Sequence, residues 1–207
     1  MIEYTMTRKE SVEWLASAIT NELSVTTVSA IAREWEVLLP EDKKDMHLCH
    51  AWMGACTSIA FGMALTLPHR KVISMDGDGS ILMDLPVLPA IAHKNPSNLI
   101  VIIWDNASYI QSAIENGRPN WSFTSDVADL VAIAKGSGIR NAKAVWTLSE
   151  FQAAYKEALE TDGPHFIVAK VPPGRLEYLE PPEYSHGQTS KFRLVRHIEK
   201  TENVTIL

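Results

Sequence analysis

One feature constrains the fold of this chain most: two apolar runs, each followed by a polar turn, flank a helix-like segment. Residues 72–75 form the first run and lead into DGDGS at residues 76–80. Residues 99–104 form the second run, which ends on an aspartate and an asparagine. Strand, helix and strand of these lengths make a βαβ unit with parallel strands. Both polar turns are therefore predicted at the carboxyl edge of the sheet, where open α/β folds bind ligands.

The two turns carry residue types that can hold a divalent cation beside an anionic group. Gly77 and Gly79 flank Asp78, and glycine lets the backbone approach a ligand closely. The helix predicted over residues 82–93 would present free N–H groups to a phosphate. Asp78 and Asn106 offer hard oxygen ligands of the kind that Mg²⁺ uses together with substrate phosphates. The alternative is that both turns only cap helices, but their pairing across one crossover favours the ligand site.

Composition indicates an ordinary globular protein. The chain has 207 residues, of which 46% are hydrophobic, enough to bury a core. We predict a single domain over residues 1–180 and a C-terminal tail over residues 181–207. A net charge of −6 argues against a nucleic-acid partner, and the apolar run at residues 53–67 is too short to span a membrane. Cys49 and Cys56 fit no disulfide framework or metal motif, which predicts a reducing, cytoplasmic setting.

Helix-like and strand-like segments alternate along the chain, which predicts the α/β class with a mainly parallel sheet. The irregular segment at residues 112–125 is expected to be functional, because it is long and lies beside the predicted metal site. No element is assigned to the residues that follow position 174. The predicted helices cover residues 7–22, 30–38, 54–67, 82–93, 126–135 and 149–160, and the predicted strands cover residues 25–28, 72–75, 99–104, 142–146 and 165–171.

The paired turns resemble the thiamine-diphosphate motif, in which GDG is followed by an asparagine across one crossover. HAWMG at residues 50–54 stands where decarboxylase families carry GSMG. Residues 106–112 are similar to the N-G-x-Y-E-S-T run of the small sulfopyruvate and phosphonopyruvate decarboxylases, and residues 126–134 and 162–174 are similar to that family too. The resemblance covers residues 20–175. It implies a three-layer α/β/α thiamine-diphosphate-binding fold, and within it the diphosphate-binding domain.

The resemblance assigns roles to the residues of the two turns. Asp78 and Asn106 would bind Mg²⁺ through side-chain oxygens, and Ser108 would add its backbone carbonyl. Gly79 and Ser80 would donate hydrogen bonds to the phosphates of thiamine diphosphate. The cofactor-binding set that the resemblance implies is Ala51, Met53, Gly77, Asp78, Gly79, Ser80, Asn106, Ser108 and Tyr109.

The segment that replaces GSMG keeps part of the family pattern. Met53 would wedge between the two cofactor rings and impose the bent shape that brings the aminopyrimidine amine near the thiazolium ring. The carbonyl of Ala51 would accept a hydrogen bond from that amine. Trp52 departs from the pattern, since it stands where the family has a small residue, and the bulky indole must find space.

The resemblance also indicates three catalytic candidates. His50 has two open roles, as a proton donor at the substrate or as a structural histidine. Gln111 and Ser112 are expected to face the reacting carbons. The GGQ-like run of the family is replaced at residues 114–118, which leaves the substrate contacts of that segment open.

One catalytic component is missing from the chain, which implies a partner. The glutamate that activates the cofactor comes, in these families, from a separate pyrimidine-binding domain, and this chain is too short to hold both domains. The resemblance therefore implies a two-subunit decarboxylase of a small 2-oxo acid, with a pyrimidine-binding partner subunit and self-association. The alternatives are a carboligase, the β subunit of a 2-oxo acid oxidoreductase, and a non-catalytic cofactor-binding subunit.

Overall fold

A six-stranded, fully parallel sheet forms the centre of the computed structural model of this protein. The strand order is β2-β1-β3-β4-β8-β7, so β3 and β4 lie side by side in the middle. Strand β4 is buried along its whole length, as expected of a central parallel strand covered on both faces. The structure describes residues 5–109, 114–115, 118–119, 121–125, 127–172 and 187–207.

The predicted strands are confirmed, with ends that move by one or two residues. Strand β2 was not predicted, because two histidines interrupt its short run, HLCHA. Two further strands pair antiparallel as a separate hairpin. The strands are β1 Leu23–Thr27, β2 His47–Ala51, β3 Val72–Gly77, β4 Leu99–Asp105, β5 Ile114–Glu115, β6 Arg118–Pro119, β7 Asn141–Val145 and β8 His165–Lys170.

Helices cover both faces of the sheet, which confirms the three-layer α/β/α prediction. One apolar core lies between the sheet and helices α1, α2 and α7, and it includes Trp35 and Phe151. The second core lies between the sheet and helices α3, α5 and α6, and it includes Leu88 and Leu130. The helices are α1 Arg8–Ala18, α2 Ala30–Leu38, α3 Cys56–Thr66, α4 Asp78–Ile81, α5 Val87–Lys94, α6 Leu130–Gly136, α7 Leu148–Glu160 and α8 Gly187–Glu202.

The helix predicted over residues 82–93 is wrong at its start. The chain makes the single turn α4 directly after β3, then bends, and α5 begins only at Val87. Pro86 occupies the N-cap of α5, where its missing N–H costs nothing, and Val87 N donates to Asp84 O in the bend at 3.0 Å. The polar turn after β3 therefore forms a short helix, Asp78–Ile81, that is separate from α5.

One other boundary differs because of capping. Helix α6 begins at Leu130, because the Asp129 side chain accepts hydrogen bonds from the backbone of Val131 and Ala132. The predicted starting point, Asp126, lies outside the described residues. Residues Glu41–Met46, for which the sequence predicted no helix or strand, form a 3₁₀ helix.

Helix α8 occupies a segment to which the sequence assigned no element. It packs against the edge strand β2, and the Ser190 hydroxyl accepts a hydrogen bond from Cys49 N at 3.1 Å. Only Ser190 and Leu194 of this helix are buried. Cys49 and Cys56 are both buried and form no disulfide. In the part of the chain that the structure describes, none of the helices has the length and apolar character needed to cross a membrane.

Candidate functional site

A cavity of about 350 Å³ opens at the carboxyl ends of strands β1, β3 and β4. It lies where the paired turns predicted a ligand site, because parallel strands bring their following loops to one edge. Eight of the predicted cofactor-binding residues line this single cavity. They are Met53, Gly77, Asp78, Gly79, Ser80, Asn106, Ser108 and Tyr109.

Asp78 supplies the main negative charge of the cavity. Its side chain is buried, and the hydroxyl groups of Ser122 and Thr124 donate to its Oδ2 atom, the latter at 2.9 Å. Burial and the negative charge of Asp105 raise the pKa of Asp78 to about 6, although these hydrogen bonds oppose the shift. A buried carboxylate in this state attracts a proton or a cation.

The carboxylates of Asp78 and Asp105 share one hydroxyl donor. Thr124 Oγ1 lies 2.9 Å from Asp78 Oδ2 and 2.7 Å from Asp105 Oδ1, and its single proton can serve only one of them. Lys170 Nζ, at 2.5 Å from Oδ2, neutralises Asp105. No such cation lies beside Asp78 among the described residues, so a divalent ion would relieve the repulsion there.

The turn after β4 presents an amide oxygen. Ala107 adopts a left-handed backbone conformation with φ 56°, and its N–H donates to Asp105 Oδ1 at 3.1 Å. The Asn106 amide nitrogen donates to Ser108 Oγ at 3.0 Å. The Asn106 side-chain oxygen accepts a hydrogen bond from Ser108 N at 3.4 Å, and an amide oxygen of this kind can also bind a metal. Asp78, Asn106 and the Ser108 carbonyl form a set of hard oxygen donors, which fits Mg²⁺.

Ser80 of α4 connects the cavity wall to the end of β1 and to the segment at residues 52–54. Its hydroxyl accepts a hydrogen bond from Gly54 N at 3.0 Å and lies 3.2 Å from Thr27 Oγ1. Gly79 has a steric role, because a Cβ atom at this position would lie 2.3 Å from the ring of Tyr109. The glycine therefore allows the tyrosine ring to lie directly against α4.

The segment that replaces GSMG projects both of its large side chains outward. Met53 lines the cavity and remains 39% exposed, as a residue that contacts a bound cofactor requires. Trp52 is 82% exposed. The indole that replaces a small residue is thus accommodated at the surface, and it does not fill the cavity.

The structure does not bring His50 and Ala51 to the first cavity. Both line a second cavity together with Gln188 and Lys191 of α8. The Ala51 carbonyl accepts a hydrogen bond from Val28 N at 2.8 Å, which uses one of its two lone pairs. The other catalytic candidates, Gln111 and Ser112, lie outside the described residues.

Arg8 is a cavity residue that the sequence analysis missed. Its side chain is buried, and it binds Glu34 through Nε and Nη2, both at 2.9 Å. Its Nη1 atom has no hydrogen-bond partner in the described structure. Arg8 lines the same cavity as Asp78, so the cavity also offers a cationic hydrogen-bond donor to an anionic ligand.

Ser122 and Thr124 were also missed as individual residues. The only signal was the length and polarity of the segment at residues 112–125, which predicted a functional loop without naming its contacts. Ser122 N donates to Ala107 O at 2.9 Å, and this contact fixes the loop over the turn after β4.

Comparisons with known proteins agree with the geometry of the site. The family model of the thiamine pyrophosphate enzyme C-terminal TPP-binding domain matches residues 33–169. The chain is 30% identical to the sulfopyruvate decarboxylase β subunit of Methanothermobacter thermautotrophicus, over 82% of this chain and 84% of that protein. It is 29% identical to the phosphonopyruvate decarboxylase of Streptomyces viridochromogenes, over 89% of this chain. The chain spans less than half of that second protein, 45% of its length.

Solved structures share the fold. The 4-hydroxybenzoylformate decarboxylase of Rhodococcus jostii RHA1, a thiamine diphosphate-dependent enzyme, superposes on 86% of this chain and 34% of its own, with a TM-score of 0.64 and 20% identity. A benzoylformate decarboxylase from Polynucleobacter necessarius gives a TM-score of 0.63 at 20% identity. Given the matched family model and the relatives along most of its length, the chain belongs to the thiamine pyrophosphate enzymes and contains their C-terminal TPP-binding domain.

Proposed function

We propose that this chain is the diphosphate- and Mg²⁺-binding subunit of a two-subunit, thiamine diphosphate-dependent decarboxylase of a small 2-oxo acid. One observation carries the proposal: the residues of both motif turns, including Asp78 and Asn106, line a single cavity at the carboxyl edge of the sheet. Membership of the thiamine pyrophosphate enzymes supports thiamine diphosphate as the ligand of that cavity. The relatives named as decarboxylases support the reaction type.

Each residue of the cavity has a definite task in this proposal. Asp78 and Asn106 hold Mg²⁺ through their side-chain oxygens, and Ser108 adds its carbonyl. The ion neutralises the diphosphate, which the buried Asp78 carboxylate would otherwise repel. Ser80 and the backbone of Gly79 donate hydrogen bonds to the same phosphates. Binding at this edge fixes the diphosphate end of the cofactor and thereby its orientation.

The remaining roles concern the reactive part of the cofactor. When bound, thiamine diphosphate would supply a carbanion that adds to the 2-oxo carbon and a ring that accepts the electron pair of the C–C bond broken as carbon dioxide leaves. Met53, which lines the cavity, would contact the rings of the cofactor. We assign Gln111 and Ser112 to the substrate side, by the resemblance of residues 106–112 to the decarboxylase run. His50 lines the second cavity and is not among the residues that line the first, which favours a structural role over that of a proton donor at the substrate.

A partner subunit completes the site in this proposal. It would contribute the pyrimidine-binding domain and the glutamate that activates the cofactor. The relative from Methanothermobacter thermautotrophicus is named as a β subunit and is matched over 84% of its length, which supports a division of the site between two chains.

The test is to mix the chain with its companion subunit, identified by co-purification, and to supply thiamine diphosphate, Mg²⁺ and a panel of small 2-oxo acids. We expect carbon dioxide and the corresponding aldehyde from the mixture and from neither chain alone. Acyloin in place of aldehyde would indicate the carboligase. No product from any 2-oxo acid would contradict the decarboxylase.

Trp52 favours a second candidate, a non-catalytic cofactor-binding subunit, because it departs from the family pattern beside Met53. Asp78→Ala separates the two candidates. In a decarboxylase this variant abolishes product formation by the mixture. In a non-catalytic subunit it leaves the activity of the assembled complex unchanged, provided that the variant still assembles.

A further inference from the structure

A group of three different metal-ligating side chains lies outside the cofactor cavity. Glu36 of α2 and Cys49 and His50 of β2 place one donor atom each within 4.8 Å of one another. Cys49 is 1% exposed, and the side chains of Glu36 and His50 are 10% and 14% exposed. A sulfur, a nitrogen and an oxygen donor thus meet in an almost completely buried place.

The backbone of β2 is distorted where these residues meet. Neighbouring side chains on a regular strand point to opposite faces, so Cys49 and His50 would ordinarily be separated. His50 instead adopts a left-handed conformation with φ 57°, which is uncommon for a residue other than glycine. Such strain persists where the surroundings require it, and it is frequent at functional sites. Here it accompanies the gathering of both donors beside Glu36.

Glu36 is the acidic member of the cluster. Its side chain is nine-tenths buried, and its Oε2 atom lies 3.5 Å from His50 Nε2. A carboxylate buried to this degree needs a proton donor or a cation beside it, because burying an unpaired charge is costly. A cation bound between the three donor atoms would meet this need.

We propose that Glu36, Cys49 and His50 bind one zinc ion, or a similar borderline-soft divalent metal, at a site separate from the proposed Mg²⁺ site. In tetrahedral zinc sites the ligand atoms lie roughly 3.4 to 3.6 Å apart, given metal–ligand bonds of about 2.0 to 2.3 Å. The 3.5 Å between His50 Nε2 and Glu36 Oε2 meets this requirement, and the 4.8 Å limit on the whole set requires shifts of about 1 Å at most. Thiolate and imidazole donors select zinc over magnesium.

The surroundings of the cluster suit a metal-bound thiolate. Cys49 Sγ donates to Ser190 Oγ of α8 at 3.1 Å. Once a metal replaces the thiol proton, a rotation of the Ser190 hydroxyl would let it donate a hydrogen bond to the thiolate in return. The thiolate and the Glu36 carboxylate together balance a divalent charge, so the occupied site is neutral and does not repel Lys191, which lines the second cavity with Cys49 and His50. Three protein ligands leave a fourth position for water or another donor. The ion would join α2 to β2 directly before the segment at residues 52–54.

The test uses the full-length chain, purified under reducing conditions and stripped of metal, and titrated with Co²⁺ as a spectroscopic probe and then with Zn²⁺. We expect one equivalent of Co²⁺ to give a thiolate-to-cobalt charge-transfer band that Zn²⁺ removes. Cys49→Ser should abolish the band, and Glu36→Gln should weaken Zn²⁺ binding at least about tenfold. Cys56→Ser is the matched control, because Cys56 is equally buried and lies outside the cluster.

Several outcomes would overturn the proposal. They are a wild-type chain without the band, a band that persists in Cys49→Ser, and Zn²⁺ binding that Glu36→Gln leaves unchanged. Should Cys49→Ser fail to fold, Glu36→Gln decides, since the change from carboxylate to amide preserves shape. Asp78→Ala must keep the cobalt band, which separates this site from the cofactor site.

Discussion

Single atoms decide what the cofactor cavity can accept. Gly77 and Gly79 both belong to the DGDG turn, yet they meet different surroundings. A Cβ atom at Gly77 would meet nothing within 4 Å, whereas one at Gly79 would lie 2.3 Å from the Tyr109 ring. The motif therefore needs its second glycine for packing against the turn after β4, whereas the packing of the cofactor-free chain makes no such demand at the first.

Gly79→Ala should destabilise the cofactor-free chain by about 1 to 3 kcal/mol, because Tyr109 must leave its position. Gly77→Ala is the control and should change the free energy of unfolding by less than about 0.5 kcal/mol. Urea denaturation of both variants without cofactor measures the difference. Equal stability of the two variants would contradict the steric role of Gly79.

Residues of the site were predictable from sequence where one short motif holds them. Asp78 and Asn106 follow adjacent strands of one βαβ unit, so local sequence alone brings them to one edge. Arg8 and Thr124 come from distant segments, and nothing in their local sequence indicates a contact with the cavity. Their positions depend on tertiary packing, which a single sequence does not display.

Pairs of elements are held together by buried polar contacts. Arg8 and Glu34 join α1 to α2 through two hydrogen bonds, and both side chains are almost completely buried. Removing one partner of such a pair leaves an uncompensated buried charge, which costs more than the pair itself contributes.

Arg8→Met should therefore destabilise the chain by about 3 to 5 kcal/mol, because Glu34 is left without its partner. The double variant Arg8→Met/Glu34→Met should recover much of this loss. Guanidinium denaturation of the three proteins measures both effects. A double variant as unstable as the single one would show that packing, and not the unpaired charge, dominates.

The β1–β2 pair should give the protein a pH dependence. His47 is buried, and its ring lies 3.0 Å from Ser24 Oγ and 3.4 Å from Thr26 Oγ1. Burial lowers the pKa of His47 to about 3, against an ordinary value of 6.5. Between these two values the unfolded chain binds more protons than the folded one, so stability is lost as the pH falls below about 6.5.

From pH 7.5 to 5.5, His47 should cost the metal-free chain roughly 1 kcal/mol of unfolding free energy. His47→Asn removes the titrating group and should lose less stability over the same interval by about that amount. Urea denaturation with a chelator present compares the two proteins. Parallel pH profiles for both would contradict a neutral, buried His47.

Elements were predictable where a periodic apolar pattern and a cap coincide. Helix α7 begins at a capping box formed by Thr147 and Glu150, and its buried face repeats with helical spacing. Helix α8 was missed because its sequence is mostly polar, and only Ser190 and Leu194 are buried where it covers the edge of β2. The segment between α4 and α5 reads as helix by composition, but the chain bends there and α5 begins only at Val87.

At the scale of the whole molecule, three exposed aromatic side chains belong to segments that also supply residues of the cofactor cavity or contacts to them. Trp52 precedes Met53 of the cavity wall, Trp121 pairs with Ser108, and Phe123 lies between the two residues that bind Asp78. The exposed fractions of Trp52, Trp121 and Phe123 are 82%, 48% and 67%. The proposed partner subunit would cover these side chains. The three-layer fold followed from the strand and helix pattern and from the resemblance, whereas this surface became visible only with the loops in place.

Trp52→Ala should weaken association with the companion subunit by about 2 kcal/mol or more, roughly 30-fold, since exposed tryptophans often dominate interfaces. The stability of the isolated chain should not change. Val204→Ala is the control, because Val204 is 48% exposed and lies near the C-terminus, outside the cavity wall. Sedimentation of the mixtures measures association, and equal affinities for the two variants would exclude Trp52 from the interface.

The most direct measurement is calorimetric titration of thiamine diphosphate into the chain, with its companion subunit present, with and without Mg²⁺. The account predicts binding that requires Mg²⁺ and is lost in Asp78→Ala. Binding that is indifferent to Mg²⁺ and to residue 78, or no binding in the presence of both Mg²⁺ and the companion, would contradict it.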